Sequence, residues 1–329
     1  PPAALSPDGP HAAATSTDRT LRVFTGLAHA GEKPLPVPLI ANVPYDFGTA
    51  CSLSSNGRNV LLATAQSRRV MGYTITPPGT KQAKPGLAFK REFPPSGAAH
   101  PKPMCGVILA PNSAFLLTIG SEDDLSLRLW SISGELIGTV SNKQFAQFGA
   151  SISSDSKLVA VAGASLQSGR SVGKTRGQVS LYQVDYEGTT ARGLTHATSI
   201  AGHTRGVQAV AFAPSSAHLA LASADGEWTV WNTAVRYERN EEPNEISRAK
   251  AEPYSHVALS PLAKRLIGAT ATELSIFDVR RGTLLEKVTT GHRGICTVTF
   301  SADGRRLLSG GKEDGRLRLW RIEEKPGVI

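Results

Sequence analysis

Apolar positions along this chain fall in short runs that alternate with polar ones, and each run stops at a Gly, Asp, Ser or Pro turn. A period of two bounded by such turns predicts β-strands rather than helices. The runs group into cycles. Residues 202 to 233, GHTRGVQAVAFAPSSAHLALASADGEWTVWNT, and residues 291 to 322, GHRGICTVTFSADGRRLLSGGKEDGRLRLWRI, follow one order. Gly-His comes first, then an apolar strand, a turn, a second strand, a Gly or Asp turn, and a third strand carrying Trp. Weaker copies of the cycle end on Phe24, Tyr73, Trp130, Tyr182 and Phe277. With Trp231 and Trp320 these make seven aromatic anchors, 43 to 57 residues apart.

A period in the forties built from short strands and turns resembles the WD40 repeat. Each such repeat forms a four-stranded blade that cannot bury both its faces alone, so blades pack around a central channel. The expected fold is therefore all-β, a seven-bladed WD40 β-propeller formed as one domain by residues 1–329. Each WD40 repeat gives the outer strand of one blade and the three inner strands of the next. Residue 1 already lies beside an innermost strand and residue 322 ends a third one. The last blade is thus expected to lack its outer strand within this chain, to take it from residues upstream of Pro1 or, poorly, from the tail EEKPGVI, and to be the weakest part of the ring.

Polar residues recur with the blades. Asp225 stands six residues before Trp231 and Ser223 eight before, and His203 opens the innermost strand. The set resembles the WD40 hydrogen-bond tetrad, in which Asp holds His, His meets a hydroxyl, and the hydroxyl meets the indole N–H. A buried indole needs such an acceptor. His292, Asp314 and Trp320 repeat it, with Lys312 at the position where the count places Ser; His100, Asp124 and Trp130 repeat it again. A Ser, His and Asp set also reads as a hydrolase triad, but recurrence with the blades and the closing Trp point to structure. No HExxH, paired-cysteine or Gly-x-Ser-x-Gly pattern appears, so neither an enzyme nor a cofactor, metal or small-molecule substrate is expected.

One string invites a nucleotide. SLQSGRSVGKT, residues 165–175, approaches a phosphate-binding loop, which needs glycine, four residues, then Gly-Lys-Ser/Thr before a helix. Ser168 stands where the first glycine belongs, and RGQVSLYQV, an alternating strand, follows Thr175. The segment is expected to be a basic insert within blade four, with Arg170, Lys174 and Arg176 as candidate partner-binding residues. Residues 76–92, carrying Lys81 and Lys84, form a Pro/Lys-rich connection expected on the opposite face. Residues 233–252 alternate charge and read as a turn of helix or an extended loop. Trp228 is a further candidate contact.

Composition changes the picture in three places. Lys plus Arg number 36 against 27 Asp plus Glu, a formal net charge of +9 that favours anionic partners such as RNA. Cys51, Cys105 and Cys296 are too few and too scattered for a disulfide framework, which points to free thiols or a reducing compartment. No apolar run approaches the roughly 20 residues that cross a bilayer as a helix, so the chain reads as soluble. It opens PPAALSPDG without an initiating Met, so an upstream anchor would lie outside it.

SADGEWTVWNTAVRYERNEEP, VALSPLAKRLIGATATELSIFDVRRG and LRLWSISGELIGTVSNKQF go beyond a generic repeat. They resemble the transducin beta-like protein 2 family over most of blades three to seven, and more loosely in the first two. The resemblance implies a non-enzymatic propeller on the cytosolic side of the endoplasmic reticulum, anchored by an N-terminal helix absent from this chain. It also implies a link to stress signalling and translation. A protein-interaction scaffold is the expected function. Association with RNA or the ribosome through the basic loops is the alternative, and it requires Arg170, Lys174, Arg176, Lys81 and Lys84 to share a face.

Overall fold

The computed structural model describes residues 3–6, 11–16, 18–27, 37–43, 46–76, 86–121, 124–141, 145–165 and 176–322. They form seven antiparallel sheets, each a simple meander. Blade one is β1 (Ala3–Leu5), β2 (Ala12–Thr15), β3 (Thr20–Phe24) and β4 (Leu39–Asn42). Blade two follows with β5 (Gly48–Leu53), β6 (Asn59–Thr64), β7 (Val70–Thr76) and β8 (Gly86–Phe93). In blade three the strands are β9 (Met104–Leu109), β10 (Phe115–Gly120), β11 (Ser126–Ser131) and β12 (Leu136–Ser141). Blade four has β13 (Phe145–Ile152), β14 (Leu158–Ser165), β15 (Gly177–Glu187) and β16 (Thr190–His203). Next come β17 (Val207–Phe212), β18 (His218–Ser223), β19 (Glu227–Asn232) and β20 (Asn244–Lys250) as blade five. Blade six holds β21 (His256–Leu259), β22 (Arg265–Ala269), β23 (Glu273–Asp278) and β24 (Thr283–Thr289). Blade seven is β25 (Ile295–Phe300), β26 (Arg306–Gly311) and β27 (Leu317–Arg321).

Burial explains the hydrophobic pattern strand by strand. Second strands are covered on both faces by neighbouring blades, so they are apolar almost throughout; every residue of β10, FLLTIG, is buried. Outer strands face solvent, and β24, TLLEKVT, is nearly all exposed. All seven aromatic anchors fall on third strands, opposite equivalent residues of the second. The pairs are Phe24–Ala12, Tyr73–Val60, Trp130–Leu116, Tyr182–Val159, Trp231–Leu219, Phe277–Leu266 and Trp320–Leu307. That shared register makes the blades structural repeats.

Seven buried clusters fill the seven clefts between successive blades, the last joining blade seven to blade one. The ring is therefore closed. Thr297 in β25 donates to the Ala3 carbonyl in β1 at 3.1 Å, and Arg306 reaches the Leu27 carbonyl at 2.6 Å. The closing cleft holds the smallest cluster, Leu5, Ala12, Leu27 and Leu308. No described strand pairs with the outer edge of β27, as the repeat phase predicts. Among the described residues no helix is long and apolar enough to cross a membrane.

The meander also sorts the loops. Second-to-third turns and the corners leading into each inner strand share an upper face. First-to-second turns and third-to-outer connections share the lower one. β15 begins at Gly177, directly after Arg176, so the chain enters a strand there and not a phosphate-loop helix.

Candidate functional site

The polar residues picked out by the repeat gather at three upper-face corners. In blade three, the carboxylate of Asp124 takes a short hydrogen bond from His100 Nδ1. His100 Nε2 lies 2.7 Å from Thr118 Oγ1, and Trp130 Nε1 donates to that same oxygen at 2.9 Å. Ser126 bridges the pair, 2.9 Å from Asp124 and 3.2 Å from His100. In blade seven, His292 Nδ1 is 2.9 Å from Asp314, His292 Nε2 is 3.0 Å from Ser309 Oγ, and Trp320 donates to Ser309 at 2.8 Å. A carboxylate only accepts, so Nδ1 carries the imidazole proton and Nε2 accepts from the hydroxyl, which in turn accepts from the indole. Every link then has one donor and one acceptor, provided the ring is neutral.

Blade five departs from the expected arrangement. His203 Nδ1 is 3.2 Å from Asp225, but His203 Nε2 meets Thr229 Oγ1 at 3.1 Å, and Trp231 donates to Thr229 at 2.9 Å. Ser223 is not a link. Its hydroxyl donates to the carbonyl of Arg205 at 2.9 Å and approaches that of Gly206 at 3.2 Å. Lys312 likewise does not stand in for the hydroxyl of blade seven, which comes from Ser309. The register gives the reason. The relay hydroxyl sits on the second strand two residues beyond the partner of the Trp, where blades three and seven carry Thr118 and Ser309, each facing an arginine, Arg128 or Arg318.

Blade five has Leu221 at that place, and Thr229 is its cross-strand partner. The row Leu221–Thr229–Arg248 therefore shifts both the hydroxyl and the arginine outward by one strand. The arginine still covers the residue before the histidine. Arg128 donates to the Ala99 carbonyl at 2.7 Å and Arg318 approaches that of Gly291 at 3.4 Å. Arg248 Nη2 would stand 3.4 Å from a Cβ built on Gly202. Its charge is balanced by Glu227 and Glu245, both at 2.7 Å.

Other blades solve the corner differently. In blade two, the buried Asp46 carboxylate accepts from the backbone of Phe47, Gln66 and Ser67 and from the Ser67 hydroxyl at 2.8 to 3.0 Å. In blade six, Tyr254 lies over Gly268, where a Cβ would come within 2.4 Å of its ring, and meets Phe277 edge-on. No periodic signal marks Asp46 or Tyr254. Thr229 was legible as a hydroxyl two residues before Trp231, on the same strand face.

These constellations hold blades together and offer no open chemistry. Thr118, Thr229 and Ser309 are fully buried, and each already has both its His and its Trp partner, so none is an accessible nucleophile. His203, Asp225 and Glu227 form the one group of potential metal ligands among the described residues. Their donors are engaged in the His203–Asp225 bond and the Glu227–Arg248 ion pair.

Burial lowers the His100 pKa, so its neutral form is favoured in the folded chain; burial does the same for His11, His218 and His256. Burial opposes ionisation of Asp46, Asp225 and Asp314, yet their hydrogen bonds, with His203 and His292 beside the last two, hold all three below the usual carboxylate value. An imidazole with a lowered folded pKa gives stability that is complete above about pH 6.5, its unfolded value, and is lost on acidification. A depressed carboxylate gives stability present above about pH 4 and lost as pH falls through its folded value. Thermal unfolding followed by circular dichroism should show a midpoint that declines below about pH 6.5 and falls more steeply below about pH 4. A flat profile between pH 7 and 5 would refute a His100 held neutral by burial.

Of the candidate contacts, Trp228 is excluded as a surface residue. It is fully buried in the cleft between blades five and six, edge-on to Phe277 at a ring distance of 5.3 Å. Arg176 lies on the upper face beside Arg205, lining an open recess of about 550 Å³. Arg170, Lys174, Lys81 and Lys84 lie outside the described residues. The strand ends flanking the two basic inserts are on opposite faces, Ser165 and Arg176 above, Thr76 and Gly86 below. The charged segment 233–252 is not a loop throughout: after a short 3-10 turn, Tyr237–Arg239, it forms β20, the outer strand of blade five.

The WD domain, G-beta repeat family matches residues 194–232 and 284–321. Each match spans an outer strand and the three inner strands of the next blade, and the two end in the relays of blades five and seven. Over 322 residues the chain is 27% identical to mouse Transducin beta-like protein 2, covering 95% of this chain and 68% of that protein. The human Transducin beta-like protein 2 is 26% identical over 330 residues, covering 95% of this chain and 67% of its own length. The chain thus spans about two thirds of these relatives. The fission-yeast (Schizosaccharomyces pombe) Small ribosomal subunit protein RACK1 is 27% identical over 134 residues, 38% of this chain and 40% of that protein.

Proposed function

We propose that this chain, a seven-bladed WD40 β-propeller similar along nearly its whole length to Transducin beta-like protein 2, is a non-enzymatic scaffold that docks protein partners. The observation that carries this reading is where the polar chemistry goes. The His, Asp, hydroxyl and indole groups of three blades are used to fix upper-face corners, which leaves a rigid ring whose loops are free to vary. One face of such a ring has room for a standard protein interface, about 800 Å² per partner. By analogy with the family, the propeller faces the cytosol at the endoplasmic reticulum, held by a segment upstream of Pro1, and acts in stress or translation control.

Affinity purification of the full-length protein, with and without nuclease, tests the reading. Partners that survive nuclease are expected. A wild-type chain that retains none would refute the scaffold. Ribosomal components that vanish with nuclease would favour the second reading, RNA or ribosome association, which the net charge of +9 and the similarity to Small ribosomal subunit protein RACK1 support. The basic inserts spring from opposite faces, which weakens a single RNA-binding patch.

A further inference from the structure

On the lower face, between blades six and seven, the turns after β21 and β25 enclose a groove of about 630 Å³. Four basic residues line it, Lys264, Arg265, Arg305 and Arg321, against one carboxylate, Asp303. That carboxylate is engaged within its own turn, accepting from the Ser301 hydroxyl at 2.5 Å and the Arg305 backbone at 3.0 Å. Among the described residues no carboxylate lies within ion-pair distance of Lys264, Arg265 or Arg305, although the charge of Arg305 helps to hold the pKa of the neighbouring Asp303 down. Such a concave cluster of one sign raises the local concentration of anionic groups.

The groove also has an apolar side. Leu262 is 71% exposed, the second most exposed large hydrophobic residue described, and it lies next to Pro261. Gly304 lets the two turns approach closely, since a Cβ there would fall 2.7 Å from Pro261 Cδ. A single-stranded nucleic acid gripped through its bases would need exposed aromatic faces for stacking. The one aromatic lining residue, Phe300, is only 6% exposed. Basic charge around an aliphatic contact fits a peptide instead.

We infer that this groove docks an acidic peptide segment of a partner protein. Its carboxylates pair with Lys264, Arg265 and Arg305, and an aliphatic side chain covers Leu262 and Pro261. The inference rests on the scaffold reading and gives it a site and a ligand chemistry.

The probe is a fluorescein-labelled dodecapeptide of alternating Glu and Leu, titrated with the full chain and read by fluorescence anisotropy. Saturable binding is expected, weakened at least tenfold by Lys264→Glu with Arg305→Glu and at least threefold by Leu262→Asp. These side chains are exposed, so the thermal midpoint should not move. Arg293→Glu, on the upper face, should change affinity less than twofold, and a Lys–Leu peptide should not bind. Equal affinity in the double reversal would overturn the proposal. So would an oligouridine that binds the groove without dependence on Leu262, or a tenfold gain on deleting residues 323–329, which would make the tail with Glu323 and Glu324 the occupant. In the affinity purification, the same partners on wild type and double reversal would remove the groove but leave the scaffold standing.

Discussion

Thr229→Val is expected to lower the free energy of unfolding by about 2–4 kcal/mol, because two groups lose their partner at once. Valine keeps the shape of threonine, so packing is nearly unchanged and the loss reports the hydroxyl. His203 Nε2, buried at the corner, is left without its 3.1 Å donor, and the Trp231 indole without its 2.9 Å acceptor. Each buried orphan costs about 1–3 kcal/mol, less for the half-buried indole, which water can reach. Thr229→Ser keeps the hydroxyl and should cost less than about 1.5 kcal/mol. Ser223→Ala removes bonds to carbonyls of the chain turn and should cost about 1 kcal/mol. Urea unfolding read by fluorescence and circular dichroism ranks the three. A double-mutant cycle adds the decisive comparison. Thr229 and Trp231→Phe should couple by about 1 kcal/mol, while Ser223 and Trp231→Phe should add independently. Coupling through Ser223 instead would restore the arrangement that residue counting implies.

That contrast shows what sequence can and cannot carry. Strand periodicity is a local property, and the pairing of aromatic anchors with second-strand residues is the same in every blade. The ring, its blade count and the lack of an outer partner for β27 among the described residues therefore follow from repetition alone. The relay depends on which strand supplies a side chain to a shared face, and counting residues back from a Trp crosses a turn whose length varies. Thr118 lies twelve residues before Trp130 and Ser309 eleven before Trp320, while Thr229 is two before Trp231 on its own strand. Counting eight back lands on Ser223, at the end of the second strand, or on Lys312, in the turn beyond it, and misses the hydroxyl in both blades.

Bulges were equally silent. In blades two to six the outer strand slips one residue opposite the aromatic anchor, at Lys90, Ile137, Ala197, Ile246 and Leu285. Inner strands slip at Thr49, Cys105, Gln208 and Cys296. Such slips add local twist, and no residue type announces them. Two of the three cysteines thus sit at strand irregularities. The third, Cys51, is buried in the cleft between blades one and two, and its thiol is pushed up to about 12 by that burial.

Trp228→Ala should be more damaging than Thr229→Val, at about 3–5 kcal/mol, the range for removing a large aromatic from a packed interior. In sequence, a Trp three residues before the anchor reads as a spare aromatic free for a partner. Strand geometry forbids it. Positions three apart on a strand face opposite sides, so Trp231 packs toward blade four and Trp228 toward blade six. There it meets Phe277, which also packs against Tyr254, and the three rings fill the cleft that blade six leaves without a polar relay. Among the described residues no acceptor meets its indole N–H. Trp228→Phe should therefore cost much less, within about 1.5 kcal/mol, because lost contact area is offset by removing an unsatisfied buried donor worth about 1–3 kcal/mol. The measurement is urea unfolding of both variants, alongside capture of nuclease-resistant partners by the phenylalanine form. Stability within about 1 kcal/mol of wild type for Trp228→Ala, well under the cavity cost of a core aromatic, would place the indole outside the core. A Trp228→Phe chain that folds normally but loses its partners would return the residue to the surface role that its burial now denies it.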